Sequence, residues 1–197
     1  MKKTGAVLAA AGLSSRMHAY KPLLPYNGST VARTVTGRLL EAGADPVVVV
    51  TGFRAEELKR HLSGYGIRFV WNAAYRETDM FTSICLGLRA IEGTCESVLI
   101  QPLDLPGIRT ETIRAVLSCG GPVVRPVSGG KPGHPVRIDC RLIETICSYT
   151  GEDGLKGALM QSGVPITELP VVNDGIWFDI DTEEEYLQLL HADRPDS

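Results

Sequence analysis

Two cations follow a loop of small residues near the start of the chain. The segment Gly5–Leu24 begins with apolar Ala6–Leu8, continues through Ala9–Ser15, and then presents Arg16 and Lys21. Small residues after a buried strand let backbone N–H groups approach a ligand closely. Arg and Lys bind phosphate oxygens through charge-assisted hydrogen bonds. The pattern predicts a polyphosphate site, although on spacing alone both cations fit solvated surface positions equally well.

Two common nucleotide-binding patterns are absent from this loop. The P-loop pattern G-x-x-x-x-G-K-[ST] does not occur in it. The dinucleotide fingerprint G-x-G-x-x-G also fails, because Gly12 is the only glycine of the loop. Any phosphate site in this loop is therefore neither a P-loop nor a dinucleotide-binding site.

Carboxylates stand in two constrained segments further along the chain. Asp104 lies in the run PLDLP, where the flanking prolines limit the orientations of its backbone. Asp179 and Asp181 are two residues apart, so in an extended segment they point to the same side. Carboxylate oxygens suit Mg²⁺. Without further information, Asp104 is also compatible with a simple turn and Asp181 with a helix start.

Composition limits the class of protein. With 197 residues, 44% of them apolar, the chain suits a single domain over 1–197 with a sizeable core. A net charge of -3 and the lack of a basic block argue against nucleic acid or an acidic membrane as partner. No run reaches membrane-spanning length, and we interpret the apolar start as a strand, not a targeting segment.

The cysteines and histidines indicate neither disulfides nor zinc. The five cysteines are odd in number and none forms a C-x-x-C pair, which favours reduced thiols and a cytoplasmic location. The four histidines lack metal-ligand spacing.

Strands and helices alternate through the first half of the chain. The unbroken run Pro46–Thr51 is typical of a strand buried on both faces. The alternation predicts an α/β fold, a Rossmann-like, doubly wound, mostly parallel sheet with helices on both faces. Shorter elements after residue 121, including expected strands at Ile166–Leu169 and Ile176–Asp179, form an added subregion. Ligands bind at the carboxyl ends of strands in such sheets, where the first loop, Asn72–Ser83 and Asp104 are expected to meet.

The motifs resemble a known family. The loop AAGLSSRM of residues 10–17, followed by Lys21-Pro22-Leu23-Leu24, is similar to the signature of MobA-like nucleotidyltransferases, which load a nucleotide onto molybdopterin. The match is closest to the molybdenum cofactor cytidylyltransferase branch and covers about Gly5 to Leu190. This chain has His18 and Asp79 where the family usually has Gly. The resemblance implies a fold like that of the nucleotide-diphospho-sugar transferases.

The resemblance also implies roles for individual residues. Arg16 and Lys21 are the expected catalytic cations that hold the triphosphate. Asp104 and Asp181 are the expected Mg²⁺ ligands, with Asp179 as the alternative to Asp181. The expected nucleotide-binding residues are Ala9, Ala10, Ala11, Gly12, Ser14, Ser15, Asn72, Thr82 and Ser83. The expected acceptor-binding residues are Gly133, His134 and Pro135. Helix capping by Asn72 or Ser83, and a buried structural role for His134, remain alternatives.

The implied reaction is a Mg²⁺-dependent transfer of CMP from CTP to molybdopterin or its molybdenum form, with release of pyrophosphate. The implied partners are CTP, a pterin phosphate acceptor and a molybdoenzyme or its chaperone. One alternative is a cytidylyltransferase for a sugar, polyol or choline phosphate. Another is a catalytically silent nucleotide-binding regulator, which loss of Asp104 or Lys21 would have indicated, and both residues are present.

Overall fold

The computed structural model describes residues 3–12 and 19–192. The strands are β1 Thr4–Ala10, β2 Pro25–Tyr26, β3 Ser29–Thr30, β4 Val47–Thr51, β5 Arg68–Trp71, β6 Ser97–Pro102, β7 Val123–Ser128, β8 Lys131–Pro132, β9 Val136–Asp139 and β10 Ile166–Pro170. The helices are α1 Val31–Ala42, α2 Ala55–His61, α3 Met80–Ile91, α4 Thr110–Ser118, α5 Ile143–Cys147, α6 Gly154–Gln161 and α7 Glu183–Ala192.

Strand β1 lies inside the main sheet, between β4 and β6. The order across the sheet is β10-β7-β9-β6-β1-β4-β5, and β8 pairs with β7. Strands β5, β4, β1 and β6 are parallel to one another, as are β7 and β10, whereas β9 is antiparallel to β6 and β7. The path of the chain across the sheet reverses at β1. In open α/β sheets, ligands bind at such a reversal, outside the carboxyl ends of the strands.

Side chains of β1 alternate between two cores. Leu8 packs on one face of the sheet with residues of α1 and α4, and Val7 packs on the other face with residues of α3, α5 and α6. The run Val47–Thr51 is buried throughout, as expected for a strand covered on both faces. Helices therefore cover both faces, and the predicted doubly wound, mostly parallel fold is confirmed.

Local signals set several helix ends as predicted. Thr30 Oγ1 accepts a hydrogen bond from the Arg33 N–H at the start of α1, and Gly43 ends this helix with a φ of 98°. At the start of α7, Thr182 Oγ1 accepts from the Glu185 N–H, and Glu185 Oε2 accepts from the Thr182 N–H. This reciprocal pair is a capping box.

Two other helices begin in different ways. Helix α3 begins at Met80, because Asp79 Oδ1 accepts from the Thr82 N–H at 2.8 Å and caps the helix. Helix α4 begins at Thr110, and the side chain of Arg109 before it makes no capping hydrogen bond.

The predicted strand Ile176–Asp179 is wrong. Residues Asp174–Ile176 form a 3₁₀ turn, and no strand follows it before α7. The backbone here bonds to two separate loops: Ile176 O accepts from the His134 N–H at 2.7 Å, and the Ile180 N–H donates to Asp104 O at 3.3 Å. A segment that bonds to two loops does not pair with a single strand.

Among the residues described, no helix has both the length and the apolar character needed to cross a membrane.

Candidate functional site

A cavity of about 720 Å³ opens at the carboxyl edge of the sheet, beside β1 and β6. One end is polar, with Gly12 after β1 and the charged residues Lys21, Asp104, Asp179 and Asp181. The rest of the lining is mostly apolar, with Val136, Leu155, Leu159, Met160, Ile166 and Trp177, and it also includes the cations Arg125 and Lys156. The cavity can therefore hold a strongly charged group beside a larger, less polar one.

Lys21 is fixed at the polar end by a short turn. It begins a 3₁₀ turn, Lys21–Leu23, in which Pro22 sets the backbone. Its Nζ lies 2.6 Å from Asp181 Oδ1 and 3.5 Å from Asp104 Oδ2, and the residue is only 9% exposed. The expected catalytic cation is thus a buried member of a three-residue charge cluster.

Asp104 is held in the turn that follows β6. The Leu103 N–H donates to Ala9 O at 3.0 Å, which ties this turn to the end of β1. Burial raises the pKa of the Asp104 carboxyl above its usual range, and the positive charge of Lys21 partly counteracts this effect. Burial and the nearby Lys21 therefore act on the charge state of Asp104 in opposite directions, and burial has the larger effect.

Asp181 is held by the start of α7. Its N–H donates to Glu185 Oε2 at 3.0 Å, as part of the capping arrangement of that helix. Asp179 lines the same cavity, and its negative charge acts to raise the pKa of Asp104. Asp181 is the one that contacts Lys21, which agrees with the preference for Asp181 as the second acidic residue.

Asn173, which the sequence did not single out, joins the two acidic segments. Its side chain is buried: Oδ1 accepts from the Arg109 N–H at 3.0 Å and from Thr112 Oγ1 at 3.1 Å, and Nδ2 donates to Gly107 O at 3.0 Å. A Cβ on Gly175 would lie 2.2 Å from Gly107 O, so these two backbones touch only because residue 175 is glycine. The loop after Asp104 is thereby attached to the segment that leads to Asp181.

We expect Asn173→Ala to lower the free energy of unfolding by about 1–3 kcal/mol, because it leaves buried backbone groups without partners. Urea unfolding measures this loss. Thr112→Val removes one of the three bonds and is expected to destabilise less. Equal stability of Asn173→Ala and the wild type would contradict the role of this side chain as a link between the two segments.

The segment Gly133-His134-Pro135 lies at the start of β9 and lines the cavity through Gly133 and His134. A Cβ on Gly133 would lie 2.3 Å from Ile176 O, so only glycine permits this approach. His134 Nδ1 is 3.2 Å from Ile100 O, a carbonyl that can only accept, so Nδ1 carries the proton. Burial lowers the pKa of His134 below its usual value, and the ring is therefore neutral at pH 7.

Residues expected near the nucleotide surround a second, smaller cavity of about 70 Å³. Its lining includes Ala9, Ala11, Gly12 and Ser83. Ala10 lines a neighbouring small cavity with Lys21. The structure therefore brings the first loop and the start of α3 together, as predicted.

Asn72 is fully engaged within the protein. Its Nδ2 donates to Ser83 Oγ and Thr78 Oγ1, both at 3.0 Å, and its Oδ1 accepts from the Ala74 N–H. Thr82 bonds to Asp79 through both its N–H and its Oγ1. These side chains shape the loop before α3, and a direct contact with a base stays a prediction.

Four residues singled out from the sequence lie outside the described ranges. Arg16, Ser14 and Ser15, which were expected to contact phosphates, fall in the gap between residues 12 and 19, as does His18.

The donor set at the polar end fits a magnesium ion. Asp104 and Asp181 both lie within 3.5 Å of one atom, Lys21 Nζ, so a single cation can be shared between them. Mg²⁺ takes one or two carboxylates and completes its octahedron with water and phosphate oxygens. Within the described ranges, no group of three or more His, Cys, Asp or Glu side chains is arranged to hold a metal. A metal here therefore needs ligands from water or a bound phosphate.

The thiols lie away from this cavity. All five cysteines are unpaired by disulfides, and none is among the described residues that line the cavity. A hydrogen bond with Cys85 lowers the pKa of Cys147 to about 7, against the effect of burial and with help from Arg89. The thiolate form, which is the reactive one, is therefore favoured at Cys147.

We expect replacement of all five cysteines by Ser or Ala to leave turnover at the wild-type level in protein that folds. The physical reason is that the reaction implied by the sequence resemblance, nucleotidyl transfer to an acceptor phosphate, needs no thiol. A pyrophosphate-release assay measures the outcome. If alkylation of Cys147 alone abolished turnover and nucleotide protected it, this thiol would have to be placed in the site.

Comparison with known proteins identifies the family. Residues 5–166 match the model of the MobA-like NTP transferase domain. The molybdenum cofactor cytidylyltransferase of Escherichia coli is 25% identical over 189 residues, which is 95% of each chain. The chain belongs to the MobA-like NTP transferase family. It is a nucleotidyltransferase.

Other relatives and structures show the range of this fold. A protein named nicotine blue oxidoreductase, from Paenarthrobacter nicotinovorans, is 28% identical over 93% of this chain and 95% of its own. A nucleotidyl transferase structure from Methanothermobacter superposes with a TM-score of 0.85 at 26% identity, covering 98% of both chains. A Mycobacterium tuberculosis protein in complex with manganese gives a TM-score of 0.79 at 23% identity, covering 98% of this chain and all of that one.

Proposed function

We propose that this chain transfers CMP from CTP to the phosphate of molybdopterin or its molybdenum form, with release of pyrophosphate. The observation that carries the proposal is the cluster of Lys21, Asp104 and Asp181 at the polar end of the large cavity. A buried cation beside two carboxylates suits a site that holds a metal and a triphosphate. The similarity to a molybdenum cofactor cytidylyltransferase over 95% of the chain supports the choice of reaction.

The chain aligns two anions and needs no covalent nucleophile. In this proposal, residues 1–197 act as one catalytic domain. Backbone N–H groups of the first loop, Ala9–Ser15, approach the triphosphate, and Arg16 and Lys21 neutralise charge that develops on its oxygens. Asn72, Thr82 and Ser83 shape the side of the site that receives the base. The acceptor phosphate attacks the α-phosphorus, and pyrophosphate leaves on the opposite side.

Asp104 and Asp181 are the proposed ligands of Mg²⁺. A metal held there would supply positive charge to the phosphate oxygens of the nucleotide. The two carboxylates would hold that cation, and Asn173 holds their two segments together. A protein with the same fold forms a complex with manganese, which supports the choice of a divalent metal.

The mostly apolar part of the cavity supports an acceptor with a substantial body. Trp177 offers an aromatic surface there, with Lys131 Nζ 4.4 Å from the centre of its ring. Gly133 and His134 line the same cavity and, with Pro135, are the proposed acceptor-binding residues, and the neutral His134 adds no charge to the site. A pterin fills such a space better than choline or a small polyol does. Transfer of the product to a molybdoenzyme or its chaperone is part of the same proposal.

The test is a pyrophosphate-release assay with each of the four common triphosphates against a panel of acceptors. The panel contains molybdopterin, a sugar phosphate, a polyol phosphate and choline phosphate. Turnover with molybdopterin alone supports the proposal, and faster turnover with another phosphate assigns the enzyme to that acceptor. Nucleotide binding without turnover on any acceptor indicates a regulator.

We expect turnover with CTP to exceed turnover with GTP at matched concentrations. The loop has Ala10-Ala11-Gly12, whereas guanylyl-transferring relatives tend to have paired glycines that leave room for a purine. Steric differences of this size typically discriminate by about 1–3 kcal/mol, so the preference is partial. Equal or better turnover with GTP would contradict this reading of the loop.

A further inference from the structure

Lys21 occupies the position that a cation shared by Asp104 and Asp181 needs. Its Nζ lies 2.6 Å from Asp181 Oδ1 and 3.5 Å from Asp104 Oδ2, and its side chain is 11% exposed. The two carboxylates are 20% and 24% exposed, so solvent and salt screen the cluster weakly. In this state Lys21 is the counterion of the carboxylates.

A divalent metal and the Lys21 ammonium cannot hold this position together. Like charges a few ångströms apart repel strongly where water is largely excluded. Mg²⁺ also demands a near-ideal octahedron, which an ammonium between its two ligands blocks. Entry of the metal therefore requires Lys21 Nζ to move away from the carboxylates.

The Lys21 side chain has a second position within its reach. A cavity of about 70 Å³ adjoins Lys21 on the β1 side and is lined in part by Ala9, Ala10 and Gly12. Among its described lining residues, Asp104 is the only anion, so nothing else there attracts the ammonium. A triphosphate in this cavity supplies that attraction, because phosphate oxygens accept hydrogen bonds from Lys.

We propose that Lys21 keeps the metal position closed until a nucleotide arrives. The inference rests on the proposed function and adds an order of binding to it. Metal and nucleotide enter together, while Lys21 Nζ passes from the carboxylates to the phosphates. Lys21 thus opposes the binding of metal alone and favours the binding of metal with nucleotide. A lysine with a purely structural role would not change the metal affinity in opposite directions without and with nucleotide.

The test measures Mn²⁺ affinity by the electron paramagnetic resonance signal of free Mn²⁺. Without nucleotide, Lys21→Met is expected to bind Mn²⁺ about tenfold more tightly than the wild type, or better. With a non-hydrolysable CTP analogue, the same variant is expected to bind Mn²⁺ and nucleotide about tenfold more weakly. Lys156→Ala is the control: Lys156 lines the same cavity, is exposed and makes no ion pair with a described residue.

Several outcomes overturn the proposal. They are unchanged or weaker Mn²⁺ binding by Lys21→Met without nucleotide, an equal gain in Lys156→Ala, and tight Mn²⁺ binding by the nucleotide-free wild type. If Lys21→Met does not fold, Lys21→Gln replaces it in the test, and the same changes in Mn²⁺ affinity are expected. If no triphosphate yields pyrophosphate, the proposed function fails, whereas tighter Mn²⁺ binding by the Lys21 variants still supports the role of Lys21.

Discussion

Replacing Asp104 with Asn is expected to lower kcat by orders of magnitude and to weaken metal-dependent nucleotide binding. A triphosphate brings several negative charges toward two carboxylates, and like charges a few ångströms apart repel by about 1 kcal/mol or more even in water. Carboxylates beside such an anion therefore act with a metal between them. The measurement is turnover and nucleotide affinity as a function of Mg²⁺ concentration. For Asp181→Asn we expect an effect of similar or smaller size.

Stability provides the control for Asp104→Asn. Lys21 keeps Asp181 as a partner at 2.6 Å in this variant, so the nucleotide-free protein is expected to lose little stability, or to gain some. Burial raises the folded-state pKa of Asp104, so the stability of the wild type declines as pH rises from the unfolded pKa, about 3.9, toward the higher folded value. Asp104→Asn has no carboxyl to titrate at this position, so its stability is not expected to show this decline with pH. Full activity in EDTA, or an unchanged Mg²⁺ dependence of Asp104→Asn, would remove the metal and Asp104 from the site.

Lys21→Ala and Arg16→Ala are each expected to reduce kcat/KM by about 10- to 100-fold. Each variant loses a charge-assisted contact with phosphate, which contributes about 1.5–3 kcal/mol. Steady-state kinetics with CTP measures the loss. Lys59→Ala, which removes an exposed cation paired with Glu56 on α2, is the matched control. Wild-type kinetics in either variant would show that its cation is only surface charge.

The structure adds a stability effect to Lys21→Ala that the sequence did not predict. From sequence, Lys21 was expected at the mouth of the sheet, where its loss leaves the fold unaffected. Its side chain is 11% exposed and contacts two carboxylates, so its removal leaves two partly buried negative charges without this cation. We therefore expect a lower melting temperature for Lys21→Ala. Addition of Mn²⁺ should recover part of this loss.

Features set by neighbouring residues could be predicted from the sequence. The β-branched run Val47–Thr51, Gly43 at the end of α1 and the capping box of Thr182 and Glu185 each follow from local chemistry. The first loop and Asp104 each follow a strand of the predicted parallel sheet, so the sequence also predicted that they lie close together. Such features need no knowledge of distant residues.

Features set by distant residues could not be predicted. Asn173 is recognisable only by hydrogen bonds to residues 61 to 66 positions earlier in the chain. The segment Ile176–Asp179 has the composition of a strand, but contacts with two loops keep it irregular. The hydrogen bond between Asn72 and Ser83, 11 positions apart, was likewise not predicted from the sequence. In each case the deciding partner is outside the local sequence.

The antiparallel strand β9 has a consequence for how new substrates can be accommodated. Within the main sheet, β9 joins two parallel blocks, β5-β4-β1-β6 and β7-β10, and it pairs with β6 through four residues, from Val136 to Asp139. The block with β1 carries the first loop and Asp104, and β9 with the strands beyond it borders the more apolar part of the cavity. Exchange of β7, α6 and β10 with those of a relative can therefore change the acceptor range while the strands behind Lys21 and Asp104 stay in register.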